Sequence, residues 1–83
     1  MYVGDEMITV KLYAYLRDNR GKEVKMEYKE GLTIAGIAEE LKIDLNDVSI
    51  IICDGKDDIP SKMKDILVKE DSLVHFFPPV AGG

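Results

Sequence analysis

From Met7 to Leu16 the chain alternates, with Ile8, Val10, Leu12 and Ala14 on one face and Met7, Thr9, Lys11 and Tyr13 on the other. A period of two over this length predicts a half-buried strand. Arg17 to Lys22 is a polar connector in which Asn19 and Gly21 can take positive φ. Alternation resumes at Glu23, with Val24, Met26 and Tyr28 inward and Glu23, Lys25, Glu27 and Lys29 outward. Two alternating strands joined by a short polar loop form an antiparallel hairpin. The charged outer face of the second suits a place near the sheet edge.

After Gly31 the period changes. Thr33 is a competent N-cap, and Ile34, Ile37, Ala38 and Leu41 share one helical face. Gly36 inside this helix costs about 1 kcal/mol relative to alanine, and close approach of the helix to the sheet is its expected reason. Val48 to Cys53 is a β-branched run closed by Asp54-Gly55, and reads as a strand buried on both faces that ends in a turn. Lys56 to Lys69 declares no period, so a loop, a helical turn and a short strand are expected there. Ser72 to Phe77 is the last strand.

The order is strand, strand, helix, strand, short elements, strand. A helix that buries its one apolar face on one side of a mixed sheet gives an α+β chain of the β-grasp, or ubiquitin-like, architecture. A parallel crossover in it would be right-handed. Residues 1–83 read as a single domain of this kind, with an extended tail over 78–83.

Length narrows the chemistry. A chain of 83 residues buries only about 60–65% of its unfolded surface, which leaves little room for a deep pocket. Sixteen acidic against eleven basic residues give a net charge of -5 and a pI near 4.7. That field repels phosphate backbones and anionic lipid, so neither nucleic acid nor a membrane surface is an expected partner; a basic protein surface is. One cysteine, Cys53, and one histidine, His75, exclude an internal disulfide and a structural zinc site. No apolar run reaches the length of a membrane span, and Met1 to Glu6 has no signal-peptide pattern. A cytoplasmic location is the expectation.

Few residues are candidates for chemistry. Strand alternation explains His75 as a surface or partly buried residue. Cys53 closes an apolar strand, where a thiol behaves as a small hydrophobe. Asp57-Asp58 and Glu70-Asp71 lack metal-loop spacing. The tail differs. Pro78-Pro79 favours an extended course, and Gly82-Gly83 lets enclosing walls close on bare backbone. Such a segment, reaching roughly 15–20 Å, can be threaded into another protein's channel. Its reactive group is the Gly83 α-carboxylate, ionised at neutral pH and a poor electrophile until activated, most simply as an acyl-adenylate.

The ending Val74-His-Phe-Phe-Pro-Pro-Val-Ala-Gly-Gly83 resembles that of molybdopterin synthase small subunits. More broadly it is similar to the ubiquitin-like sulfur carriers, the thiamine-biosynthesis carrier among them. The likeness implies that Gly83 is the reacting residue, with Phe77, Pro78, Pro79, Val80, Ala81 and Gly82 contacting partners. It implies an ATP-dependent activating enzyme that adenylates Gly83, and a sulfur donor that converts it, through a persulfide, to a thiocarboxylate. A molybdopterin synthase large subunit would then take the sulfur for a pterin precursor. No bound cofactor is implied, and catalytic side chains, nucleotide site and metal would belong to partners.

Other readings share the tail: a sulfur carrier for thiamine, cysteine or another product, a protein modifier joined to target lysines, or an interaction module with an inert tail. Three positions depart from the family pattern. Lys69-Glu70-Asp71-Ser72 lacks a glycine, His75 stands where a smaller residue is usual, and Cys53-Asp54 replaces an asparagine-glycine turn. Alternation places Val74 and Phe76 toward the core and Leu73, His75 and Phe77 away from it. Phe77 then opens an apolar patch leading into the tail, unless a loop of the same chain covers it.

Overall fold

The computed structural model describes residues 7–79; the expectations for Met1 to Glu6 and for Val80, Ala81, Gly82 and Gly83 lie outside them. Alternation produces β1 (Met7–Leu12) and β2 (Glu23–Glu27), paired antiparallel with Met7 opposite Glu27 and Lys11 opposite Glu23. The period-3.6 segment is α1 (Ile34–Glu40), and the Thr33 hydroxyl accepts the Gly36 N–H at 3.1 Å as its cap. Then come β3 (Ile50–Cys53), β4 (Lys56–Asp58), α2 (Pro60–Met63) and β5 (Leu73–Phe77). The sheet order is β2-β1-β5-β3-β4. The β1–β5 pair is parallel and the others are antiparallel, so the sheet is mixed and the last strand lies at its centre.

One face of the sheet carries the core. Ile8, Val10 and Leu12 of β1, Val74 and Phe76 of β5, and Ile51 of β3 pack with Ile34, Ile37 and Ala38 of α1, all nearly solvent-free. The opposite face holds Lys11, Ile50, Ile52, His75 and Phe77, each half-buried. That corrects one expectation. β3 alternates half-buried with buried, because helix covers only one side of it.

Two further corrections concern local backbone. β1 stops at Leu12: Ala14 takes φ 52° and starts a 3-10 turn over Ala14–Arg17, so Ala14 is exposed while Leu16 still reaches the core. Gly36 does not mark an approach to the sheet. A Cβ there would meet the Leu32 Cδ1 at 3.1 Å and the Thr33 Oγ1 at 3.5 Å, both in the segment leading into its own helix.

The connector after the 3-10 turn is fixed by Arg20. Its guanidinium donates to the carbonyls of Leu16 at 3.0 Å, Leu41 at 3.0 Å and Lys42 at 2.9 Å. The last two are carbonyls at the end of α1, where a cation is favoured. On the far side, Asp54 and Gly55 turn β3 into β4 with φ 51° and 88°, the paired positive values that a two-residue hairpin turn requires. The Asp54 carboxylate accepts the Leu73 N–H at 2.9 Å and the Ser72 hydroxyl at 2.7 Å, so this turn also holds the start of β5. In the turn before β5, Asp71 adopts φ 67°, a conformation that aspartate tolerates better than most residues.

Candidate functional site

β5 delivers the tail. Parallel pairing sets Lys11 opposite His75 and Leu12 opposite Phe76, so β1 and β5 finish side by side. Phe77 is the last strand residue, and its carbonyl accepts the Ser49 N–H at 2.7 Å. Pro78 is buried and Pro79 exposed. The exposed part of the tail therefore begins one residue later than the sequence implies.

At this exit three rings share the open face. Tyr13 lies on Phe77 with centroids 4.2 Å apart and planes inclined by 12°. Its hydroxyl is 2.9 Å from the His75 Nδ1, and the Arg17 guanidinium sits 5.5 Å from its ring centroid. Phe77 and His75 face away from the core as alternation predicts. Phe77 is half-buried rather than open, since a residue of the same chain, Tyr13, partly covers it.

Charge here runs against the whole. A shallow hollow of about 250 Å³ beside the rings is lined by Lys11, Leu12, Tyr13, Arg17, Lys22 and Glu23. Three cations surround one carboxylate, and Lys11 and Lys25 both approach that carboxylate, at 3.9 and 3.7 Å. The root of the tail is locally basic within an acidic domain, which favours an acidic rather than a basic surface there. Sequence reading left Tyr13 as one residue of a strand and Arg17 as part of a connector. Their meeting with β5 depends on the β1–β5 pairing, which no local pattern announces.

The remaining candidates are quiet. Burial pushes the Cys53 thiol up to about 11, helped by the neighbouring Asp54 carboxylate, so it is not a nucleophile at neutral pH. Burial and then Lys11 hold His75 below its ordinary value. Among the described residues no group of His, Cys, Asp and Glu could hold a metal, and no helix is long and apolar enough to cross a membrane.

The family model for ThiS matches residues 10–83. The chain belongs to the ThiS family. Solved structures with the same fold include a putative molybdopterin converting factor, subunit 1, from Pyrococcus furiosus, 23% identical with a TM-score of 0.67, over 89% of this chain and 98% of that one. SAMP1 from Haloferax volcanii is 17% identical with a TM-score of 0.73, over 93% and 99%. Urm1 from Trypanosoma brucei is 15% identical with a TM-score of 0.69, over 99% and 100%. No curated protein matches the sequence. As a ThiS-family chain with a ubiquitin-like β-grasp, the protein has the fold of sulfur carriers and modifiers.

Proposed function

We propose that this protein is a sulfur carrier that works through Gly83 as the small subunit of a molybdopterin synthase. An ATP-dependent activating enzyme joins the Gly83 carboxylate to AMP and releases pyrophosphate. The outer sulfur of a persulfide donor displaces the AMP to give an acyl disulfide. A second thiol cleaves its S–S bond, leaving the Gly83 thiocarboxylate and a disulfide between that thiol and the donor. A large subunit then takes the sulfur for a pterin precursor. One observation carries this reading: the family match runs through residue 83, over the Phe76-Phe77-Pro78-Pro79-Val80-Ala81-Gly82-Gly83 ending.

The fold supports it. Beyond the buried Pro78, the five residues from Pro79 to Gly83 extend at most about 17 Å. A partner that encloses Gly83 must therefore come close to the body, onto the face that presents Phe77, Tyr13 and the basic hollow. Phe77 through Gly82 are the partner-contacting segment in this proposal.

The test is the intact and fragment mass of untagged protein from its native host. Sulfur in place of one oxygen changes the mass almost as one methionine oxidation does, so the shift must be localised to the tail fragment and shown to react with a thiol-directed reagent. A thiocarboxylate at Gly83 is the expected result. A plain carboxylate, even after incubation with activating enzyme, sulfur donor and ATP, overturns it. The modifier reading has its own support, since a small archaeal modifier protein from Methanosarcina acetivorans shares the fold with a TM-score of 0.68. High-mass adducts that survive thiol reductants on a denaturing gel would favour it.

A further inference from the structure

His75 is the chain's one histidine. It lies on the open face of β5, with Lys11 of β1 registered on one side and Ile52 of β3 on the other. Its Nδ1 is 2.9 Å from the Tyr13 hydroxyl. Tyr13 sits one residue beyond the β1–β5 ladder, just before the chain turns at Ala14 with φ 52°. Strand pairing does not hold it. Its ring is placed instead by the stack on Phe77, the Arg17 guanidinium above it and the contact with His75. Stacked rings slide past each other at little cost. A hydrogen bond at the hydroxyl end removes that freedom.

We propose that His75 is a positioning residue: as a neutral imidazole its Nδ1 accepts the Tyr13 hydroxyl proton and latches the Tyr13 ring flat on Phe77. This fixes the shape of the surface from which the tail departs. Protonation of His75 puts a hydrogen on Nδ1 and reverses the bond, the Tyr13 oxygen then accepting, so the ring stays held in both states. The surroundings favour the neutral form. Lys11 faces the imidazole across the β1–β5 ladder, and Glu23 approaches Lys11 at 3.9 Å. Arg17 lies over Tyr13, and on the other flank Ile52 separates His75 from Asp57 of β4. The nearest of these charges is the lysine, and the imidazole is half-buried, so a second positive charge is disfavoured twice. The consequence for docking rests on the carrier reading; the latch itself does not.

Nuclear magnetic resonance of the full chain from about pH 8 to about pH 5 tests the latch, because the histidine signals belong to one residue. The ring-current shifts on Phe77 are expected to persist through the His75 titration, whose midpoint lies below the ordinary 6.5. His75→Asn keeps an acceptor oxygen where Nδ1 was and cannot be protonated. It is expected to preserve the stack with no pH dependence, while His75→Ala loosens the stack at every pH. Identical behaviour of the two variants, or a stack in His75→Ala as tight as in the wild type, would overturn the latch.

Docking is read from adenylation by the activating enzyme at fixed pH. For His75→Ala, KM should rise about fivefold with kcat unchanged, the worth of one ordinary hydrogen bond, and His75→Asn should match the wild type. Equal KM values for all three sink the link to docking. If the wild type itself is never adenylated, the carrier reading fails, and the ring-current shifts of the two variants still decide the latch.

Discussion

At its start β5 is held by the Asp54 carboxylate, through the Leu73 N–H at 2.9 Å and the Ser72 hydroxyl at 2.7 Å, with the Asp54 N–H returning to the Leu73 carbonyl at 3.0 Å. At its finish, beyond the ladders to β1 and β3, it is held by one backbone bond from Ser49, the burial of Pro78 and a stack of exposed-face aromatics. The first set is directional and saturated, so it fixes register. The second has a broad minimum and leaves ring surface facing water. The side-chain lock therefore sits at the end far from the tail, and apolar ring surface at the end near it.

Removing the lock should cost most. Asp54→Ala discards hydrogen bonds to a charged acceptor and puts alanine at φ 51°, and about 2–3 kcal/mol of stability should be lost in urea denaturation. Arg20 supports the tail end, since it ties the connector that follows Tyr13 and Arg17 to the end of α1. Arg20→Ala should lower stability by about 1–2 kcal/mol. Arg20→Lys should restore little of it, because an ammonium cannot reach three carbonyls as a planar fork does.

Acid separates the ends more finely. Burial pushes the Asp54 carboxyl up, but the Leu73 N–H, the Ser72 hydroxyl and the Cys53 thiol outweigh it, and the group sits below its ordinary 3.8. The folded chain therefore binds fewer protons than the unfolded one. The stabilisation is complete above 3.8 and fades as pH falls toward the lower folded value. Comparing urea midpoints of the wild type and Asp54→Asn down this range should show the wild type losing more. The smallest stability change is expected from Phe77→Ala, about 1 kcal/mol. Its effect on KM for adenylation should exceed what that loss explains. A melting temperature that collapses with KM unchanged would make Phe77 a core residue and erase the contrast between the ends.

Much of this was legible beforehand where a period was strong. The strands around Val10, Met26 and Phe76, the helix capped by Thr33 and the Asp54-Gly55 turn follow from alternation, a 3.6-residue repeat and turn chemistry. β4 was expected only as a short strand somewhere in Lys56 to Lys69, because Lys56-Asp57-Asp58 is an edge strand with no apolar residue to alternate. The end of β1 was misread for the opposite reason: Leu12, Ala14 and Leu16 keep the rhythm of a strand while the backbone has already turned. The reading of the tail rests on its residue types alone, since Val80 to Gly83 lie outside the described residues. The Tyr13–His75–Phe77 cluster did not, since it exists only once the first strand and the last lie parallel.

That central position of β5 has a mechanical side. A pull on the chain at Pro79 is directed along the strand axis, and ladders to β1 and β3 bear it together. Hydrogen bonds loaded in shear must give way nearly at once, whereas a strand peeled from an edge surrenders them singly. Traction on the tail, as when it is drawn out of a narrow channel, meets the most resistant direction the sheet offers, so the body can be hauled free without unravelling.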